Sequence, residues 1–371
     1  MLKFLTAGES HGPCLTAIVE GLPSGLAVDR EAINRDLARR QGGYGRGGRM
    51  KIERDRVEIL GGVIGGRTTG APVSLRIENR DWANWREHWA AGDLPRLTVP
   101  RPGHADYAGM VKYGLDDARP VLERASARET AARVAVGGLA KLLLGAFDIE
   151  LGSVVTEIGG VVAQVPDRPW PQLWAAAELS DVRCPDEAAA ERMRARIDAA
   201  REAGDSLGGV FVVTATGLPV GLGSHVHWDR RLDARLAQGV MSIQAIKGVT
   251  IGPAFETARR PGTEVHDEVL PTSEGGVRRR TNRAGGIEGG MTNGEPVVVN
   301  AAMKPIPTTV TPLRSVDLAT AQEAETEYQR SDVCAVPAAS VVGEAMVAWV
   351  LADALIEKLG GDSVTEMADH R

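Results

Sequence analysis

Two runs rich in apolar residues, either side of the polar Ser10-His11-Gly12-Pro13, make residues 3–21 read as a strand, a turn and a second strand. Gly21-Leu22-Pro23-Ser24-Gly25-Leu26 is a second turn, and Asp29 then stands as the N-cap of a helix whose Ile33 and Leu37 share one face. Alternation appears at Val57 to Leu60 and at Val73 to Asn79, as in antiparallel strands. From Ser126 the period changes. Glu129 follows at the capping-box spacing, and Ala132, Val136, Leu139 and Leu143 recur at helical intervals, so a buried helix is expected behind that cap. Residues 149–164 and Gly208 to Thr216 read as strands, and 339–358 reads as an apolar helix. The Ala-, Glu- and Arg-rich stretch 168–203, with Trp170 and Trp174, reads as a peripheral helical insertion. Trp82, Trp85 and Trp89 form a helical stripe, a pattern expected to serve packing or a subunit contact and not a ligand.

The pattern also repeats itself. Ser10, Gly12, Gly21, Leu22, Pro23, Gly25 and Leu26 recur at one constant offset as Ser206, Gly208, Gly217, Leu218, Pro219, Gly221 and Leu222. Each copy runs on into an Asp-Arg helix start, at Asp29-Arg30 and at Asp229-Arg230. The glycine-rich run Gly61 to Val73 returns as Gly285 to Val297, and Glu123-Arg124-Ala125-Ser126 resembles Gln329-Arg330-Ser331-Asp332, each ahead of an apolar helix. A duplicated unit is expected within a single domain spanning 1–371, with halves of roughly 1–147 and 206–358 around a pseudo-twofold axis. The fold class is then α+β, with antiparallel sheets around central helices. In that arrangement Arg124 to Ser126 and Arg330 to Asp332 occupy matching helix entrances, and an asymmetric site can be assembled between them.

At 371 residues the chain can bury a large core. Aromatic residues make up only 4%, so Val, Leu, Ile and Ala must fill it. A net charge of -6 argues against generic affinity for nucleic acid. Cys14, Cys184 and Cys334 are too scattered for a zinc or disulfide framework, which favours a reducing, cytoplasmic setting. No signal-peptide core and no run of about 18 uncharged apolar residues is present, so neither export nor membrane spanning is expected.

Three stretches offer chemistry. In Arg101-Pro102-Gly103-His104-Ala105-Asp106 the proline and glycine set a turn that constrains the imidazole, and the loop is expected to feed a helix N-terminus where Arg124 and Arg128 suit an anion. Gly43, Gly45 and Gly48 match G-x-G-x-x-G but follow a helix instead of a strand, so the dinucleotide reading fails. The surrounding run from Arg39 to Lys51 reads instead as a mobile cationic loop that closes over a multiply anionic small molecule. Ser10 and His11 do not make a serine hydrolase, because adjacent side chains on an extended turn diverge and no G-x-S-x-G elbow exists. His225 and His227 have no third ligand nearby in sequence, so no metal site is expected.

Over nearly its whole length the sequence resembles the chorismate synthases. The resemblance is carried by Gly8-Glu9-Ser10-His11-Gly12, Arg39 to Met50, Arg101 to Asp106, Glu123 to Glu129, Gly285 to Gly294, Met303 to Thr308 and Arg330-Ser331-Asp332. It implies a β-α-β sandwich, a homotetramer, and elimination of phosphate from 5-enolpyruvylshikimate 3-phosphate to give chorismate, with reduced FMN and no net redox change. NADPH enters only as a reductant, since some members reduce their own FMN with it. The family's substrate-binding arginines map onto Arg40, Arg46, Arg49, Arg101 and Arg128, and its nearby hydroxyl onto Ser10. Such a substrate carries one phosphate and two carboxylates, which guanidiniums meet with paired donors. The FMN site maps onto Arg124, Ala125, Ser126, Gln244, Ala245, Gly289, Lys304, Pro305, Ile306, Pro307, Thr308 and Arg330; members often carry Asn where this chain has Gln244. By the same resemblance His11 protonates the departing phosphate, His104 protonates the flavin, and Asp332 assists at its N5 as a base.

Overall fold

The structure is a computed structural model and describes residues 1–48, 53–273, 275–329 and 331–371. Strands β1 (Lys3–Ala7), β2 (Cys14–Glu20), β3 (Val57–Gly61) and β4 (Val73–Glu78) form an antiparallel sheet in the order β1-β2-β4-β3. The alternation seen in the sequence fixes its register: Leu15 opposes Ile77, Ala17 opposes Leu75 and Val19 opposes Val73, all buried on one face. Strands β5 (Glu150–Ile158), β6 (Val161–Val162), β7 (Gly209–Thr216), β8 (Ile246–Ile251) and β9 (Val297–Met303) form the second sheet, in the order β8-β9-β7-β5-β6.

Between the sheets lie the helices. Of α1 (Arg30–Gln41), α2 (Arg119–Ala125), α3 (Thr130–Gly145), α4 (Leu232–Met241) and α5 (Val336–Leu359), α3 and α5 make the most extensive helix contact. Gly137 on α3 permits it, since a Cβ there would stand 2.4 Å from Ala345 Cβ on α5. The α3 helix also packs on β2 and β4, and α5 on β5 and β7, so the layers are sheet, helices, sheet. This is an α+β sandwich, as the sequence leads one to expect. Although α5 is long and apolar enough to cross a membrane, 89% of its most apolar window is buried inside the fold. One buried charge interrupts it. Glu344 accepts hydrogen bonds from Arg39, Lys141, Arg183 and Ser153. Burial pushes its carboxyl up, but the three cations outweigh that and hold it well below the usual carboxylate range.

Without β6, the two sheets share one strand order, and their turns share hydrogen bonds. Thr68 Oγ1 donates to Pro23 O at 2.6 Å and accepts from Leu26 N at 3.0 Å. Thr292 Oγ1 does the same with Pro219 O at 2.6 Å and Leu222 N at 2.8 Å. The match is not complete. Asp29 caps α1 through Glu31 N, whereas Asp229 bonds His227 and leaves α4 to start at Leu232 without a side-chain cap. The insertion forms helices Trp170–Glu178 and Glu187–Glu202. The first lays Trp174 over Gly152 on the outer face of the second sheet, with its Nε1–H donating to Thr214 Oγ1 at 2.8 Å. The outer face of the first sheet has no such cover, and its paired Leu5 and Ile18 are exposed.

Three local expectations need correction. Ser126 does receive Arg128 N, but it opens a 3-10 turn, Ala127–Glu129, and α3 starts only at Thr130. Glu129 bonds Thr6, Arg133 and Gln244, so the reciprocal half of the capping box is lost to tertiary partners. The His104 turn leads into a short helix, Asp106–Tyr113, and not into α3. The tryptophan stripe is broken into a 3-10 turn at Arg80–Asn84 and a helix at Arg86–Ala91; Trp82 meets Trp89 edge-on while Trp85 turns away.

Candidate functional site

The β1–β2 turn is gripped from two sides. Asn79, at the end of β4, donates to the carbonyls of Glu9 at 3.1 Å and Gly12 at 2.7 Å. From α2, the Glu123 carbonyl accepts Ser10 N–H at 3.0 Å, and its carboxylate accepts His11 N–H at 2.8 Å and lies 2.8 Å from His11 Nδ1. Ser10 Oγ is 3.1 Å from Ser126 Oγ. Trp85 stacks at 4.3 Å from the imidazole, which moves one member of the stripe from mere packing to the lining of a site. His104 is held differently. Gly103 takes the left-handed φ of 77° that the turn requires, and His104 Nδ1 lies 2.5 Å from Asp106 Oδ1. Arg101 donates to both Asp106 oxygens, at 2.8 and 3.0 Å. Burial pushes the Asp106 carboxyl up, but His104 and Arg101 together hold it far below the usual carboxylate range.

Both histidines line one cavity of about 960 Å³. Arg40, Arg46, Arg101, Arg119, Arg128, Lys304, Asp81 and Asp332 line it too, so the charged part of its lining is mainly cationic. Each arginine has a carboxylate partner, and of those partners Asp332 itself lines the cavity. Arg40 and Arg128 share Asp55, and Arg128 Nε also donates to Asn79 Oδ1 at 2.8 Å. Burial, with Arg128 and Arg46 adding to it, pushes Arg40 down to about 10 against the pull of Asp55. Arg46 pairs with Asp332 at 2.6 Å, and Asp332 Oδ1 also accepts Gly47 N–H at 2.6 Å. Arg49 lies outside the described residues.

The described part of the Arg-Gly loop is docked and not free. Tyr44 OH donates to Asp198 at 2.9 Å, Gly45 O accepts Val333 N–H at 2.9 Å, and a Cβ at Gly45 would meet Cys334 Cβ at 3.0 Å. Gly43, Gly45 and Gly47 are there for close approach to the entrance of α5.

Of the residues that the resemblance assigns to FMN, Ala125, Ser126, Gln244, Ala245, Lys304, Ile306, Pro307 and Thr308 line the cavity. Pro305 and Gly289 do not; Gly289 sits on a separate hairpin, Ile287–Glu288 with Met291–Thr292. Arg124 turns into a smaller neighbouring pocket, donating to Thr6 O at 2.9 Å and Gly8 O at 3.3 Å. Arg330 lies outside the described residues. Gln244 fits a bound donor: its Nε2 donates to Glu129 at 3.2 Å, while its Oε1 is buried with no partner among the described residues. Ala335, Ala338, Ala339, Val342 and Ile243 add an apolar wall suited to a flat ring. Lys304 Nζ donates to Gly103 O at 3.0 Å, and burial, helped by Lys247, lowers its pKa. The residues present therefore fit a flavin.

Sequence reasoning did not single out Asp55, Asn79, Trp85, Asp106, Arg119 or Glu123 as site residues. Only Asp106 and Glu123 fell within motifs, and their partners become visible only when the chain is folded. No cluster of three or more His, Cys, Asp or Glu able to hold a metal occurs among the described residues.

The family model for chorismate synthase matches residues 2–356. The chain is 57% identical over 382 residues to a chorismate synthase of Trichlorobacter lovleyi, covering 100% of this chain and 97% of the relative. It is 59% identical over 373 residues to one of Desulforamulus reducens, covering 99% and 96%. A solved crystal structure of a chorismate synthase superposes with a TM-score of 0.80 at 46% identity, covering 100% of this chain and 96% of the other.

Proposed function

The chain belongs to the chorismate synthase family of lyases, and from that membership we propose that it converts 5-enolpyruvylshikimate 3-phosphate to chorismate by anti-1,4-elimination of phosphate, with reduced FMN as cofactor. The observation that carries this reading is the single cavity that collects His11, His104, Asp332 and the substrate arginines Arg40, Arg46, Arg101 and Arg128. Three anionic groups on one substrate need such a cluster. The carboxylates paired with the guanidiniums keep them oriented before the substrate arrives, so the cost of ordering is met on folding. Ser10 adds a hydroxyl beside His11, and Arg49 joins the set.

His11 gives a proton to the phosphate as it leaves, which converts a poor leaving anion into a better one. His104, held through Nδ1 by Asp106, is a second proton donor facing the cavity. Asp332 is engaged by Arg46. An incoming anion that draws Arg46 away frees the Asp332 carboxylate to accept a proton at Oδ2. Reduced FMN would be held by Ser126, Gln244, Ala245, Lys304, Ile306, Pro307 and Thr308, with Arg124, Gly289, Pro305 and Arg330 as further family contacts. When bound it supplies the electron density that makes loss of a weakly acidic carbon-bound hydrogen feasible.

The enzyme functions as a homotetramer in the cytoplasm, with NADPH at most a reductant for its flavin. The shared strand order and the paired Thr68 and Thr292 bonds support a duplicated origin of the halves 1–147 and 206–358 in one domain. Anaerobic assay with dithionite-reduced FMN tests the activity: chorismate and phosphate should appear in equal amounts, and only with the flavin reduced. Phosphate release without chorismate, or turnover without flavin, would overturn it.

A further inference from the structure

Glu123 carries no role in the family resemblance, yet it grips His11 at two atoms, the backbone N–H and ring Nδ1. It is only 4% exposed, and its own carbonyl receives Ser10 N–H, so α2 and the histidine turn are tied at three points. Trp85 closes one face of the imidazole. Arg119 stands over Trp85 and approaches Glu123 Oε1 no nearer than 3.5 Å, with its Nε spent on Pro95 O. The ring is thus fixed in plane and in rotation. An ionised carboxylate can only accept, so Nδ1 must carry a proton for this bond to exist. Burial pushes the Glu123 carboxyl up, but the His11 ring and N–H, with Arg119, hold it below the usual range, which keeps it ionised.

We propose that Glu123 is the positioning residue for His11: it pins a proton on Nδ1, so that Nε2, left to the cavity, is the atom that delivers its proton to the departing phosphate. This rests on the reading of His11 as that donor. The C–O electron pair leaves with the phosphate oxygen, the Nε2 proton passes to that oxygen, and the imidazole becomes neutral with its Nδ1–H still on Glu123. A proton from solvent then restores Nε2–H. His104 also meets a carboxylate through Nδ1, but it shares that carboxylate, since both oxygens of Asp106 are also taken by Arg101. The two histidines are therefore differently supported, and Glu123 is not replaceable by the Asp106 arrangement.

The test is nitrogen-15 NMR of the full-length protein labelled at histidine, at a pH where imidazoles are neutral, with His11 assigned by difference against His11→Ala. Free histidine side chains in water favour the Nε2–H tautomer. Wild-type His11 should show the opposite, Nδ1–H. Glu123→Gln supplies an amide that can donate to Nδ1, and should move His11 toward Nε2–H. It should also lower kcat by about 10²–10⁴-fold with KM nearly unchanged, because Glu123 does not reach substrate. Glu123→Asp, which keeps the charge, should recover part of the rate. An Nε2–H tautomer in the wild type, or a wild-type kcat in Glu123→Gln, would overturn the proposal. Should Glu123→Gln fail to fold, the wild-type spectrum decides alone. Normal turnover in His11→Ala would remove the donor reading, while the tautomer would still judge Glu123.

Discussion

Arg40 and Arg128 share Asp55, Arg101 is locked to Asp106, and Arg46 holds Asp332, so these four positive charges are already paired in the described structure. What faces a ligand is a set of fixed N–H donors more than a loose cloud of charge. Such a site suits planar anions by geometry, and in the proposed reaction its histidines are the proton donors. His11→Ala and His104→Ala should each lower turnover by about 10²-fold or more while FMN stays bound, because neither ring is needed to fill the wall around Gln244 and Lys304. Steady-state rates under anaerobic conditions, with flavin retention followed by ultrafiltration, check this; wild-type rates in both variants would remove them from the chemistry.

The helix layer depends on one buried charge. Glu344 sits in the middle of α5 and joins α1 through Arg39, α3 through Lys141 and the insertion side through Arg183. Its carboxylate is needed less for net stability than for register, since it draws together three cations of which Arg39 and Lys141 also pair with Asp36 and Arg183 also pairs with Glu178. Glu344→Ala should therefore destabilise the fold, but by less than the roughly 3–5 kcal/mol of a fully stranded buried charge, read by thermal denaturation. The pH dependence has a definite sign. The folded carboxyl titrates well below its unfolded value, so its contribution is present above the ordinary carboxylate range and is lost as pH falls below that range toward the depressed folded value. Melting temperature in the wild type should fall steeply there, and Glu344→Gln should be less stable at neutral pH but flatter on acidification. An equally steep fall in that variant would assign the acid sensitivity elsewhere.

The two sheets differ in what covers them. Helix Trp170–Glu178 covers the second, whereas Leu5 and Ile18, directly opposed across β1 and β2, lie open on the first. For the proposed homotetramer we place a contact between copies on this face, because a directly opposed apolar pair on an uncovered sheet face loses water when a second copy seats on it. Ile18→Lys should shift the sedimentation profile toward smaller species with the far-ultraviolet circular dichroism spectrum unchanged. An unaltered tetramer would place the contact on another face.

Strand positions 3–21 and 73–79, the apolar helix behind Ser126, the insertion and the repeated turns were all legible from periodicity and glycine spacing. Those signals are local: alternation and helical intervals report which face of an element is buried, and a positive-φ glycine is needed wherever the same turn recurs. The motif residues His11, His104 and Asp332 could also be named from the chain. Pairing could not. That Glu129 abandons its cap for Thr6 and Gln244, that Trp85 leaves its stripe for His11, and that Glu123 meets a histidine from the opposite end of the half are consequences of packing. A carboxylate's partner is set by whichever donor the assembled layers bring within about 3 Å, and sequence separation carries no information about that distance. The sequence determined most of the elements, the recurring turns and the chemical groups; the tertiary structure decided which charge answers which, and so which nitrogen of His11 and of His104 faces a carboxylate.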